Sequence, residues 1–382
     1  MQNSSIIPNT IDVVLKCNPV KSFRCQAAAN SLDIDTDKKL THHLHLDNVV
    51  LPSEWNVGLI CGASGSGKTT LAEHLFGKNI FQCNINEELP IIEQFPSKYS
   101  YKECAEMLNG IGLTSVPCWI RPFKTLSNGQ KARALASFLL SQEKEIVVID
   151  EWTSVVDRTI AKAMSLCIHK YAKRANKKII LLSCHYDIIE WVHPDWLIDC
   201  NKQQFLLPQS NDFFFQPRDK LQFEVKECDG SSWRYFSKYH YLSEELPFGK
   251  VYFYGLYHNG QQIGFQCFAN YTPHKKGEKW IFHSNRTVVH PDFCGLGLGI
   301  KLIDVATELF INRLGGGIRV MGKFSAEPTF RAMIKDKHWR FLGEKRLMGK
   351  MKTGGNMIRR NGFREKGIKT YHFEWNYNYG KV

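Results

Sequence analysis

The sequence predicts an α/β protein in two parts, on three observations. A glycine-rich loop, Gly62-Ala63-Ser64-Gly65-Ser66-Gly67-Lys68-Thr69, stands between an apolar strand and a helix. Two runs, 146–150 and 179–184, read as central parallel strands buried on both faces. Beyond residues 201–220, which carry two prolines and several amides, a second group of strands leads into another glycine loop and another helix. The parts are placed at 1–205 and 220–382, with a linker at 206–219.

Composition fits this plan. Hydrophobic residues make up 43% of the 382 positions and charged residues 23%, as in a soluble globular protein. No apolar run approaches the roughly 18 residues a membrane span needs, so no membrane is expected. The N-terminus lacks a basic stretch ahead of an apolar core, so no secretory leader is expected either. Twelve cysteines show no Cys-x-x-Cys pair, which excludes the common zinc patterns and points to a reducing cytoplasm. The net charge of +13 is uneven: residues 1–210 hold 22 Lys+Arg against 21 Asp+Glu, residues 211–382 hold 28 against 16. A basic part beside a neutral one points to an acidic partner, nucleic acid or a phosphorylated cofactor. A solvated basic face is the plain alternative.

Along the first part, the short apolar runs at 23–26, 32–34, 42–46, 48–52 and 57–62 read as strands. The loop Gly62–Thr69 matches G-x-x-x-x-G-K-[ST] in full, between strand and helix as that motif requires. Its backbone N–H groups, from Gly62, Ser64, Gly65 and Gly67 through Thr70, can wrap phosphates. Lys68 would reach the β- and γ-phosphates and Thr69 would hold Mg²⁺. The strand 146–149 ends in Asp150-Glu151. Asp150 can reach the same Mg²⁺, and Glu151 can polarise a water for attack on the γ-phosphate.

Further motifs make the resemblance specific. Leu126-Ser127-Asn128-Gly129-Gln130 is similar to the signature motif of ABC-type ATPases, with Asn in the place of the usual first glycine. Ser154-Val155-Val156-Asp157 resembles their D-loop, and His185, at the end of the next strand, resembles their switch histidine. Gln94 or Gln82 would serve as the Q-loop residue. The resemblance covers about residues 15–200. It implies ATP and Mg²⁺ as ligands, with Ser127 and Gly129 contacting the γ-phosphate held by a second subunit, hence an ATP-dependent homodimer. Lys68 and Ser127 lie closer in sequence than in transporter ATPases, which disfavours transport.

In the second part, strands around a His258-Asn259-Gly260 turn are followed by a long strand, 279–290, then Val289-His290-Pro291-Asp292-Phe293-Cys294-Gly295-Leu296-Gly297-Leu298-Gly299, then a helix, 300–315. Alternate glycines let a ligand approach the backbone, and the helix start attracts a pyrophosphate. This resembles the acyl-CoA loop of the GNAT acetyltransferases, with Cys294 replacing the usual Gln or Arg. The element order, continuing into a strand at 316–322 and a helix from Ser325, is also similar. The resemblance implies an α/β acyltransferase domain whose backbone at Val289, Gly295, Leu296, Gly297 and Gly299 binds acetyl-CoA or another acyl-CoA. With His240-Tyr241-Leu242 ahead of the hairpin and the strand end 285–291, the fused arrangement resembles ATPase–acetyltransferase proteins of phages and mobile elements, and the second part distantly resembles phage Mom, a DNA-adenine modifier.

Acyl transfer needs a proton acceptor and a donor for the leaving thiolate. His240 and Glu327 are the expected catalytic residues beside Glu151 and His185, with His283 and Ser325 as further candidates and Tyr239 or Tyr241 as thiolate donor. Residues 335–370 carry twelve Lys/Arg against three acids, with Trp339, Phe341 and Phe363 interleaved. Arg359, Arg360 and Arg364 would contact phosphates while the aromatics stack on bases. The expected activity is ATP-dependent acyl transfer from acyl-CoA to a nucleic acid base or nucleic-acid-linked amine. The alternatives are a DNA-associated ATPase with a non-catalytic GNAT module, and an acetyltransferase of protein or aminoacyl-tRNA.

Overall fold

The computed structural model describes residues 9–16, 22–31, 41–77, 84–208, 221–240, 245–270, 277, 279–315, 317–347 and 368–377. The chain divides into two compact units, Met1–Lys220 and Leu221–Val382.

In the first unit, β1 (Ile11–Lys16) and β2 (Thr41–Leu46) form an antiparallel ribbon, with helix α1 (Phe23–Ser31) between them in sequence. The main sheet holds β3 (Val57–Cys61), β4 (Ile146–Ile149), β5 (Lys178–Ser183), β6 (Trp196–Asp199) and β7 (Gln204–Leu206), in the order β4-β5-β3-β6-β7. The first four are parallel and β7 runs against β6. Alternate side chains enter different cores. Val57, Leu59, Val147, Ile149, Ile179 and Leu181 join one cluster, with α3 (Tyr101–Gly110), α4 (Asn128–Ser141) and α5 (Arg158–Ala175). Ile60, Val148, Ile180 and Leu182 join the other, with α2 (Lys68–Phe76) and the ribbon. Apolar continuity thus reflects burial on both faces. It does not make every such strand central: β4 is an end strand of the sheet, and the expectation for 146–149 is corrected there. Residues 23–26 are helical, because the run Ala27-Ala28-Ala29 that follows favours helix over strand. Residues 48–52 form no strand. Gln82, 32–34 and 209–220 lie outside the described residues.

The second unit is one seven-stranded sheet: β8 (Glu224–Glu227), β9 (Lys250–His258), β10 (Gln261–Asn270), β11 (Trp280–Val289), β12 (Ile318–Phe324), β13 (Trp339–Leu347) and β14 (Ile368–Trp375), ordered β13-β14-β12-β11-β10-β9-β8. Only β11 and β12 pair in parallel, and their crossover is the glycine loop with α6 (Leu298–Leu314). That pairing covers only Trp280–Ser284 against Ile318–Gly322. Past Ser284 and Gly322 the parallel register ends and the two strands part, while each keeps the partner on its other edge, β11 with β10 and β12 with β14. On one face, Phe268, Phe282, Val320 and Phe373 pack against Leu302, Ile303 and Phe310 of α6 and Met333 of α7 (Glu327–Met333). On the other, Trp233 and Phe236 cover Phe265, Cys267 and Val288.

One expectation fails here. Trp339, only 5% exposed, is core and donates its indole N–H to Asp304. Phe341 packs against Phe330 and Phe373 at ring distances of 5.5 and 5.2 Å. Alternation along a strand carries both toward the helix-covered face, where Trp339 is too buried to stack on a base while Phe341 stays 39% exposed. Phe363, Arg359, Arg360, Arg364 and Tyr241 lie outside the described residues. No helix among the described residues is long and apolar enough to cross a membrane.

Candidate functional site

The first glycine loop leaves the C-terminal end of β3, a fully buried strand with β5 and β6 on either side. Gly65 and Gly67 take left-handed backbone, φ 79° and 87°, a region other residues enter only at a cost. Gly67 is the N-cap of α2 and no side chain caps that helix, so its first N–H groups are left for an external acceptor. Lys68, 8% exposed, donates from Nζ to the Gly62 and Ala63 carbonyls at 2.9 and 2.8 Å, which holds the ammonium across the loop. Ser64, Gly65, Thr69 and Thr70 are exposed. Thr69 Oγ1 donates to Asp150 Oδ2 at 2.8 Å. A hydroxyl and a carboxylate in contact beside a phosphate cradle are the oxygen donors Mg²⁺ selects, so the residues present fit that ion.

Glu151 follows with φ 51° and Thr153 with φ 71°, non-glycine residues in a region costing of order 1–3 kcal/mol each. The Glu151 N–H donates to Asp150 Oδ1 at 2.7 Å, and its carboxylate accepts from the Ser154 hydroxyl. The strained turn therefore holds the second carboxylate apart from the first. Ser127 is the N-cap of α4, in a reciprocal box with Gln130: its hydroxyl accepts from Gln130 N–H, and Gln130 Oε1 accepts from Ser127 N–H at 3.1 Å. Ser127 is exposed and Gly129 is buried in the first turn. His185, half-buried past the end of β5, is fixed by its N–H to Ser183 Oγ (3.1 Å) and by Cys61 Sγ to its carbonyl (3.8 Å). The Gln94 side chain is tied to its own segment: its amide donates to the Asn86 and Leu89 carbonyls and accepts from Asn86 N–H. It closes the 86–89 turn.

The second loop repeats the first in backbone. Gly295 and Gly297 have φ 88° and 78°, and Gly297 is the N-cap of α6, again with no side-chain cap. The two N-cap glycines nearly superpose in dihedral, φ 87° ψ 11° for Gly67 and φ 78° ψ 10° for Gly297. A Cβ at Gly297 or Gly299 would meet nothing within 4 Å, so the loop faces open space. Leu296 and Leu298 point back into the core, leaving only main chain toward a ligand. Cys294 does likewise, its thiol lying 3.7 Å from the His290 carbonyl and 4.0 Å from that of Val289.

Around this loop the expected catalytic residues separate. His240 stacks edge-on against Trp233 at 5.7 Å. Glu327 accepts from Arg331 of its own helix at 2.8 Å. Two other residues are better presented. His283, on β11 just before the strands part, is held below the usual imidazole value by burial and by the Lys323 and His372 charges, so it is neutral at pH 7. Tyr239 Oη lies 3.2 Å from His290 Nε2. His290 Nδ1 in turn faces both the Asp292 N–H at 3.4 Å and the Asp292 carboxylate at 3.5 Å, so the ring links the phenol to Asp292. Sequence reading named Tyr239 but missed His290, whose signal was its place in His290-Pro291-Asp292 at a strand end. Elsewhere in the unit, Asp304, Asp336 and His338 converge, and burial pushes Asp304 up to about 7.

No protein-family model matches the sequence, and no curated protein matches it. Among solved structures, the chain is similar to a dimeric bacterial ABC transporter cassette at 16% identity and TM-score 0.34, over 41% of this chain and 87% of that one. A post-hydrolysis state of an ATP-binding cassette, bound to ADP and Pi, gives 16% and 0.34 over 43% and 90%. A component of the cbiONQ ABC transporter complex of Clostridium perfringens gives 18% and 0.33 over 43% and 81%.

Proposed function

We propose that the first unit binds and hydrolyses ATP with Mg²⁺ and that the second moves an acyl group from acyl-CoA to an amine of a nucleic acid. The observation that carries this is the pair of loops: two left-handed glycines, two positions apart, each time opening an uncapped helix. Successive N–H groups in that conformation make a concave anion cradle.

At the first loop, Lys68 neutralises the terminal phosphates, while Thr69 and Asp150 would hold Mg²⁺, which supplies charge stabilisation when bound. Glu151 accepts the proton of the attacking water, and His185 donates toward the γ-phosphate. Ser127 through its exposed hydroxyl and Gly129 through its N–H, at the start of α4, face the nucleotide of a second copy, so ATP joins two copies.

At the second loop, the Gly295–Gly299 backbone takes a pyrophosphate. The edge of β11 at 285–289, no longer paired with β12, offers main-chain groups to an extended amide chain such as pantetheine. The acceptor nitrogen attacks the thioester carbon, the C–S bond breaks, the nitrogen's proton passes to neutral His283, and the thiolate takes the Tyr239 proton. His240 and Glu327 serve as supports in this scheme.

Incubating the full chain with acetyl-CoA labelled on the acetyl carbon, ATP and an oligonucleotide tests it. Label should reach nucleosides, and Gly297→Glu should abolish the transfer. Label on the protein alone would overturn the acceptor assignment, and no transfer with intact acetyl-CoA binding would favour a non-catalytic module.

A further inference from the structure

We infer that the strand face of β12, β14 and β13 turned away from α6 and α7 is a docking surface for the phosphate backbone of nucleic acid. Strand alternation sends Phe282, Val320, Tyr371 and Phe373 into the helix-covered core, and the residues between them to the opposite face. Those are Arg319, Met321 and Lys323 of β12, Thr370, His372 and Glu374 of β14, and Arg340 of β13, with Lys345 brought to the same face, opposite Thr370, by the bulge between Phe341 and Gly343. The register places Lys323 opposite His372, Met321 opposite Glu374, and Arg340 opposite the same Glu374. His283 of β11 lies opposite Met321, at the end of the face nearest the parting strands.

The charge of this face is one-sided. Glu374 is its single carboxylate among the described residues, and it is buried. It accepts from Arg319 Nε at 2.6 Å and from Arg340. Burial pushes this carboxyl up, and the two guanidiniums more than offset that, leaving it below its ordinary value. The arrangement orients both guanidiniums while their side chains stay 43% and 68% exposed. A planar fork so anchored is preorganised for a phosphate. Lys323 and Lys345 are exposed. Both lie close enough to His372 that, after burial, their charges hold its pKa below the ordinary value. Four cations, two of them held in place, meet one carboxylate that the arginines already occupy.

The chemistry selects the partner. Protein interfaces deplete charge at their centre and rest on buried aromatic and apolar anchors, whereas here two apolar residues, Met321 and the exposed Leu342 at the bulge of β13, stand among four cations. A nucleic acid asks for the reverse: cations in rows with neither anchor nor base-reading group, which gives strong and sequence-insensitive binding. The +12 balance of residues 211–382 points the same way. The face ends at His283, so a strand bound there would bring its amines toward the proposed proton acceptor. The inference rests on the transferase reading for the reaction alone, not for the binding.

The test is fluorescence anisotropy on the full chain with a labelled 20-mer, as single strand and as duplex, across a salt series. Wild type should bind both, with little change when the sequence is scrambled. Lys323→Glu with Lys345→Glu should weaken binding at least tenfold at low salt and flatten the slope of log K against log salt by about 0.9 per lost contact on duplex. Lys170→Glu with Lys173→Glu, an equal charge change at two exposed positions of the first unit, should change affinity less than twofold. An unchanged slope in the double variant overturns the inference, as does binding of polyglutamate, but not of oligonucleotide, with the same lysine dependence. Melting temperature checks the fold of each variant, and Lys323→Gln with Lys345→Gln, which adds no acid, must show the same direction. Acetyl-CoA binding is read in parallel. Its loss in wild type with oligonucleotide binding intact refutes the transferase reading and leaves the face standing, and the converse refutes the face alone.

Discussion

The two glycine loops share a backbone and differ in everything attached to it. Gly65/Gly67 and Gly295/Gly297 occupy the same left-handed region and open helices without a side-chain cap. Around the first, Lys68 spans the loop and Thr69 contacts Asp150 at 2.8 Å. Around the second, Leu296, Leu298 and Cys294 turn inward, and Leu298 and Gly299 follow the N-cap glycine where Lys68 and Thr69 follow it in the first. The backbone makes an anion site, and the side chains decide which anion. A triphosphate with its metal needs the ammonium and the oxygen pair. A diphosphate bridging two organic groups carries less charge and can rest on N–H groups alone.

The largest expected effect lies where the second loop has no counterpart. Glu151→Gln should slow ATP hydrolysis by about 10²–10⁴ while leaving nucleotide binding intact, because an amide is a poor proton acceptor. Size exclusion with ATP should then show a trapped dimer. Hydrolysis at the wild-type rate would remove Glu151 from the mechanism.

A smaller effect should appear equally at both loops. Gly65→Ala and Gly297→Ala each place a side chain in open space at φ near 80°, so no clash contributes. The left-handed backbone costs an L-residue roughly 1–2 kcal/mol. Calorimetry should show ATP affinity for the first variant, and acetyl-CoA affinity for the second, lowered about five- to thirtyfold. Equal affinities in wild type and variant at either loop would mean its backbone does not bind the anion.

The smallest effect concerns the proton. His283 lies below the ordinary imidazole value through burial, then the Lys323 and His372 charges. Lys323→Ala removes a positive neighbour, which favours the imidazolium and raises the pKa. The acidic limb of the transfer rate should move to higher pH, and the His283 ring resonances should titrate higher. A downward or absent shift would contradict the placement.

Legibility differed between the units for physical reasons. Side-chain chemistry is written in residue types, so Lys68, Thr69, Asp150 and Glu151 could be named from spacing. The partition of the second sheet could not. Trp339 reads as an aromatic among cations, and only the alternation of β13 shows it belongs to the core. His240 and Glu327 were named for their sequence position. Their neighbours, Trp233 and Arg331, occupy them. The Tyr239–His290 contact joins residues 51 apart in sequence, and no local pattern announces it. Likewise, an apolar run like 146–149 reports burial on two faces without saying whether a strand ends a sheet.

One measurement tests the central claim that the loops hold different anions. Acetyl-CoA itself carries an adenosine diphosphate portion, so it is a fair competitor for the first loop. Acetyl-CoA is titrated by calorimetry into the full chain saturated with ATP and Mg²⁺, then into metal-free chain with EDTA, with Lys68→Ala and Gly297→Glu as variants. The account predicts one acetyl-CoA per chain in both conditions, with affinity changed less than twofold by ATP or by EDTA, unaffected by Lys68→Ala and lost in Gly297→Glu. Displacement of acetyl-CoA by ATP, or its loss in Lys68→Ala with retention in Gly297→Glu, would place both ligands at the first loop and contradict the account.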